Sequence, residues 1–180
     1  MADQALKPMT VDEFLNWEDG TDTRYELGDG IIRAMSPPGG PHRTIVANIS
    51  GVLYNALIGR RPCCGEAEAG LRIDDQTMWQ ADIAVTCGPA AREIVDPVLV
   101  IEVLSPSART HDLGRKLVDY KKLPTVAEIW MIDAERRWVQ HWRRIQSDWL
   151  GQDFVGSAVF ESPTLRGRVV LNELYADSGL

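Results

Sequence analysis

No stretch of this chain approaches the roughly 20 continuous apolar residues that span a bilayer. The opening MADQALKPMTVDEF also lacks the basic-then-apolar order of a secretion signal. A cytoplasmic protein with no membrane partner is expected. Cysteine is scarce: Cys63, Cys64 and Cys87 are an odd number, and the adjacent pair does not offer the CxxC spacing of a structural zinc site. Free, reduced thiols are the expectation. There is no surplus of positive charge either. A net charge of −7 argues against a strongly electropositive nucleic-acid groove, because phosphate binding draws much of its affinity from Lys and Arg. Local basic stretches at Arg60 and Arg61, Arg115 to Lys122 and Arg136 to Arg144 keep such a partner open. Repeats, linkers and low-complexity segments are absent. With 180 residues and 44% hydrophobic content, one domain over 1–180 with a core of about 9–175 is expected.

What is present reads as alternating helix and strand. MTVDEFLNW opens a helix, with Thr10 as N-cap, Glu13 completing a capping box, and Phe14 and Trp17 at helical spacing. RYELGDGIIRAM is a hairpin turning at Gly28, Asp29 and Gly30. SPPGGP breaks regular structure, and HRTIVANISGVLYNAL then carries Ile45, Ile49, Val52, Leu53 and Leu57 on one helical face. Three strands follow RRPCC: EAGLRI, QADIAV and PVLVIEVLS, the last apolar enough to be buried on both faces. Ser105 to Ser107 stop it. A helix from about Arg109 to Lys122 leads to another buried strand, AEIWMID. A strand pair, RWVQHWRR and DWLGQDFV, and a short helix near Val170 to Tyr175 close the chain. The fold class is α/β, a mixed central sheet flanked by helices.

Two carboxylates interrupt the apolar strands: Asp82 in QADIAV and Glu102 in VLVIEVLS. An ionised group buried alone costs several kcal/mol, so each should be paired, protonated or bound to a metal. Period-two alternation puts Val98, Val100, Glu102 and Leu104 on one face of the second strand, and Gln80, Asp82 and Ala84 on one face of the first. On neighbouring strands roughly 4.8 Å apart, the two acids could reach one hard cation. A salt bridge to Arg72 or another cation is the plainer alternative.

In the following helix, Leu113, Lys116, Leu117 and Tyr120 share one face, so Lys116 lies along the stripe that packs on the sheet. There it could stabilise a developing phosphorane charge or orient water. Its plainer partner is Asp112, four residues earlier. Glu26 could support a cation or stand as a solvated edge charge. His42, opening the second helix, could contact phosphate or relay water, or simply cap the helix. Trp130, Trp138, Trp142 and Trp149 cluster late in the chain, suited to stacking on unpaired bases or, more often, to core or a dimer seam, of which a homodimer is the preferred reading.

Taken together, YELGDGIIRAMSPPGGPH, ADIAV and PVLVIEVLSPSARTHDLGRKLVDYKKLPTVAEIWMID resemble the Uma-two family of putative restriction endonucleases, of the PD-(D/E)xK nuclease superfamily. The resemblance runs from about Met9 to Asp133. It implies a restriction-endonuclease-like fold and a Mg²⁺- or Mn²⁺-dependent endonuclease hydrolysing DNA. Asp82, Glu102 and the backbone carbonyl of Val103 would hold the metal, Lys116 would be the catalytic lysine, and Glu26, His42 and Tyr120 would support them. Ala81 replaces the motif proline. Leu104 fills the usual lysine slot, so the lysine role would have moved to Lys116. Two alternatives stand beside this: a catalytically degenerate nuclease fold acting as a binding or regulatory module, and a hydrolase of small phosphates.

Overall fold

The computed structural model describes residues 7–89, 92–105 and 112–180. It begins with α1 (Val11–Leu15), where the Thr10 side chain accepts the Glu13 N–H and the Glu13 carboxylate returns to the Thr10 N–H, the capping box expected. Trp17 lies beyond this helix. Strands β1 (Tyr25–Gly28) and β2 (Ile31–Ala34) form the hairpin. Asp29 (φ 52°) and Gly30 (φ 76°) both adopt the left-handed region that a two-residue type I′ turn requires. Gly30 also allows Pro8 to pass so close that a β-carbon would sit 2.4 Å from Pro8 Cβ.

The helix α2 (Gly40–Leu57) follows, with proline in its first turn and Ile45, Ile49, Leu53 and Leu57 buried. Next come β3 (Cys64–Asp74), β4 (Thr77–Thr86) and β5 (Pro97–Leu104). Ser107 and Arg109, where the sequence places a break and a helix start, lie outside the described residues. From Asp112 to Lys116 the chain is a π-helical turn rather than the α-helix expected, and it continues into α3 (Leu117–Lys122). The predicted face survives this widening, since Lys116, Leu117 and Tyr120 are buried and Leu113 is half-buried. Beyond it are β6 (Glu128–Asp133), β7 (Trp138–Ile145), β8 (Asp148–Val155), β9 (Val159–Ser162), β10 (Gly167–Val170) and α4 (Leu171–Leu174). The β9–β10 pair was not read from the sequence. Each strand has four residues, too few for alternation to register.

The main sheet runs β2-β1-β4-β5-β6-β7-β8, with β3 along the other side of β4. Only β5 and β6 are parallel among these pairs, joined through α3; the rest are antiparallel. A parallel pair needs such a crossover, and it carries α3 onto one face of the sheet. On the opposite face α2 and α4 bury Ile45, Ile49, Leu53 and Leu171 against Ile83, Ile101, Val103 and Trp130. The α3 face packs Leu117 and Tyr120 on Trp79, Val100, Leu104, Ile129 and Met131. Strand β6 is buried along its whole length, because its alternate residues serve both layers.

One expectation changes. Cys63 and Cys87 are joined in a disulfide, leaving only Cys64 as a free thiol. The tryptophans are largely occupied within the chain. Trp130 is fully buried, and Lys121 Nζ lies 3.1 Å from the Trp142 ring centroid. The Arg144 guanidinium, 4.5 Å from the Trp149 ring, also binds the carbonyls of Lys121, Leu123 and Val126, capping the end of α3. Among the described residues, no helix is long and apolar enough to cross a membrane.

Candidate active site

The sheet splits at one place. Strand β3 follows β4 throughout, but the other edge of β4 is shared: β1 meets it at Met78, and β5 joins only from Ile83 to Thr86. Residues 79–82 therefore face a gap between β1 and β5. Backbone groups on such an edge need partners, and here side chains supply them. Glu26 on β1 accepts the Gln80 N–H at 3.4 Å, and Lys116 donates to the Gln80 carbonyl at 3.0 Å. On the facing strand, the Val103 N–H donates to Asp82 Oδ2 at 2.7 Å.

The gap gathers most of the residues singled out from the sequence. Lys116 Nζ lies 3.0 Å from Glu26 Oε2 and 3.4 Å from Glu102 Oε1. The Tyr120 hydroxyl donates to Glu102 Oε1 at 2.5 Å. All four groups are buried, and the ammonium between two carboxylates explains how two acids persist inside a sheet. Glu26 is thus no solvated edge charge. Arg72 pairs with Asp12 and Glu93, so the cation beside Glu102 is Lys116. The Asp112 side chain lies outside the described residues.

Asp82 occupies the other side of the gap. Its Oδ1 lies 3.1 Å from His42 Nε2 in the first turn of α2, and its side chain is 22% exposed against 3% for Glu102. His42 Nδ1 is buried with no hydrogen-bond partner among the described residues. Strict alternation fails here: Trp79, Ala81 and Ala84 pack in the α3 layer, whereas Ile83 packs in the α2 layer. The change of side falls where Glu68 (φ 53°) interrupts the β3–β4 pairing, between Ala67↔Ile83 and Ala69↔Ala81. Two groups of bonds therefore reach adjacent residues of β5, one from α2 through Asp82 to the Val103 N–H and one from α3 through Lys116 to the Glu102 carboxylate.

Sequence reading missed Asp119, buried on α3. It accepts from Trp79 Nε1 at 2.9 Å, Arg115 at 3.1 Å and Lys122 at 2.6 Å. Burial alone would raise its carboxyl, but these hydrogen bonds hold it below the usual aspartate range. Arg115 also reaches Asp29 at 2.6 Å, tying the hairpin turn to the helix that carries Lys116. An i,i+4 Arg115–Asp119 spacing was visible in the sequence; the indole partner, forty positions away, was not.

The acids at the gap, Asp82, Glu102 and Glu26, offer oxygen donors. That chemistry suits a hard divalent cation. Among the described residues no three His, Cys, Asp or Glu side chains form a metal cluster, and a cation held by two carboxylates and water does not need a third.

Comparison with known proteins follows the same outline. An uncharacterized protein of Synechocystis is 27% identical over 173 residues, covering 93% of this chain and 91% of that protein. A second from the same organism is 23% identical over 165 residues, covering 83% and 89%. The crystal structure of a putative nuclease belonging to DUF820 from Anabaena variabilis shares the fold, with TM-score 0.77 and 23% identity over 94% of this chain and 98% of that one. The model of one family, Uma2, matches residues 11–172. With nearly its whole length inside that match, the chain belongs to the Uma2 family, described as putative restriction endonuclease.

Proposed function

We propose that the protein is a metal-dependent endonuclease that hydrolyses DNA phosphodiesters at the gap between β1 and β5. The observation that carries this reading is the buried Lys116 ammonium within 3.4 Å of Glu102, on a sheet split whose other acid, Asp82, is open to solvent. Family membership supports the reaction class. Asp82, Glu102 and the Val103 carbonyl would hold Mg²⁺ or Mn²⁺. The chemistry such an ion supplies is activation of water and neutralisation of charge on the phosphoryl oxygens.

The residues do the rest. Lys116 places a positive charge where negative charge grows as water adds to phosphorus and the ester oxygen departs. Glu26 and the Gln80 carbonyl fix that ammonium, and Tyr120 orients Glu102. His42 holds Asp82 from α2. A homodimer would place two such sites on one duplex, a state to be read by light scattering.

The test is cleavage of supercoiled, linear and single-stranded DNA with Mn²⁺ or Mg²⁺, comparing wild type with Asp82→Asn. Asparagine can still accept the Val103 N–H, so the fold should survive while cation binding falls. Cutting by wild type and its loss in the variant are expected; a folded wild type that binds the ion and cuts no DNA overturns the reading. One observation favours a second reading, a non-cleaving binding module: the Lys116 bonds to Glu26 and Gln80 also plug a break in the sheet, a structural role that asks for no chemistry.

A further inference from the structure

The least buried member of the acid group is Asp82, and a cavity of about 180 Å³ opens onto it. Arg24, Tyr25, Met35 and Glu68 line it together with residues 80–82. The volume falls below the roughly 300–1,000 Å³ of pockets that enclose drug-sized ligands. It suits a phosphate group with water better than a nucleobase. Arg24 is the cation among these lining residues, and Asp82 lines the same cavity.

Arg24 is paired with Glu68 across 44 positions of sequence. The pair is exposed, 39% and 67% for the two side chains, and exposed ion pairs contribute little to stability. Glu68 nevertheless holds a left-handed backbone (φ 53°) between Ala67 and Ala69, the register partners of Ile83 and Ala81. Left-handed non-glycine residues concentrate where a site requires a particular side-chain placement. Here the conformation sets a carboxylate against the guanidinium whose planar fork matches a phosphate equally well.

We propose that Arg24 is a phosphate-binding residue that positions a backbone phosphate of the substrate over Asp82, and that Glu68 occupies its guanidinium until the phosphate displaces it. This rests on the nuclease reading and adds to it the group that orients the strand. Glu68 acts as a competitor, so removing it and removing Arg24 must have opposite effects on binding.

The test is binding of a labelled short DNA duplex in Ca²⁺ by fluorescence anisotropy at several salt concentrations. Arg24→Ala should weaken binding about tenfold, the loss of one charge-assisted contact, and lower the salt slope by about 1. Arg24→Lys should recover part of the affinity, and Glu68→Gln should tighten binding. Unchanged affinity and slope in Arg24→Ala, or weakening by Glu68→Gln equal to that of Arg24→Ala, overturns the proposal. A wild type that binds no DNA sinks the nuclease reading itself. In that case, thermal unfolding with inorganic phosphate decides Arg24 alone: stabilisation of wild type but not of Arg24→Ala upholds the phosphate site, and equal responses overturn it.

Discussion

Deleting the Lys116 ammonium leaves Glu26 and Glu102 inside the sheet without the cation that lies 3.0 and 3.4 Å from them. Breaking a buried pair from one side costs about 3–5 kcal/mol, so Lys116→Met should lower the urea-unfolding free energy by that amount. Adding Glu26→Gln removes one of the stranded charges and should restore part of the loss. A Lys116→Met protein as stable as wild type would mean the ammonium does not bridge the two acids. For the same reason, lost cleavage in a Lys116 variant is weak evidence for chemistry, and Asp82 is the better probe. The position of Lys116 was legible because helical spacing alone aligned it with Leu117 and Tyr120 toward the sheet. Its partner Glu26 was not: a glutamate in a hairpin carries no local sign that a helix ninety residues later will cover it.

At the level of elements, Glu128 joins β6, β7 and the β9–β10 turn. One oxygen accepts from Trp130 Nε1 at 2.8 Å and sits 2.6 Å from His141 Nε2; the other accepts from Ser162 Oγ at 2.9 Å and the Thr164 N–H at 3.1 Å. Burial would raise this carboxyl, but the hydrogen bonds from His141, Trp130 and Thr164 outweigh it and hold the group below its ordinary value of 4.5. A depressed folded value means that the native state prefers the carboxylate. Its contribution is therefore complete above the unfolded value and is lost as the pH falls through the lower, folded one. Wild-type stability should fall between about pH 5 and 3 more steeply than that of Glu128→Gln, measured by urea midpoints across that range. At neutral pH the amide variant should be about 3 kcal/mol less stable, since it turns donors toward donors. Parallel pH profiles would remove Glu128 from the acid response. The strands β6 and β7 that carry this cluster were readable from their apolar runs and alternation. The β9–β10 turn that completes it was not, because two four-residue strands offer no period.

Over the whole molecule, the mixed sheet and its flanking helices followed from alternation, caps and the parallel crossover, and those features lie close together in sequence. The split in the sheet was invisible, because it depends on β1 and β5 sharing one edge of β4, a long-range pairing that no spacing encodes. The same holds for the cysteines. An odd count with two adjacent residues does not specify a pair; the fold does, by placing the α2–β3 loop beside the end of β4, where Cys64 lies opposite Thr86 and Cys63 bonds to Cys87. A bridge over 24 positions restricts the unfolded chain and should stabilise the fold by roughly 3 kcal/mol. Reduction, or Cys87→Ser, should lower the unfolding free energy accordingly. Burial, reinforced by the neighbouring Glu66 charge, pushes the Cys64 thiol above its ordinary range, and thiols so raised react slowly. Alkylation must therefore be carried out on denatured chain. Mass spectrometry should then find one alkylated cysteine, Cys64, without reductant and three with it. Three without reductant would show that the bridge is not formed, and the two loops would then be held together by packing alone.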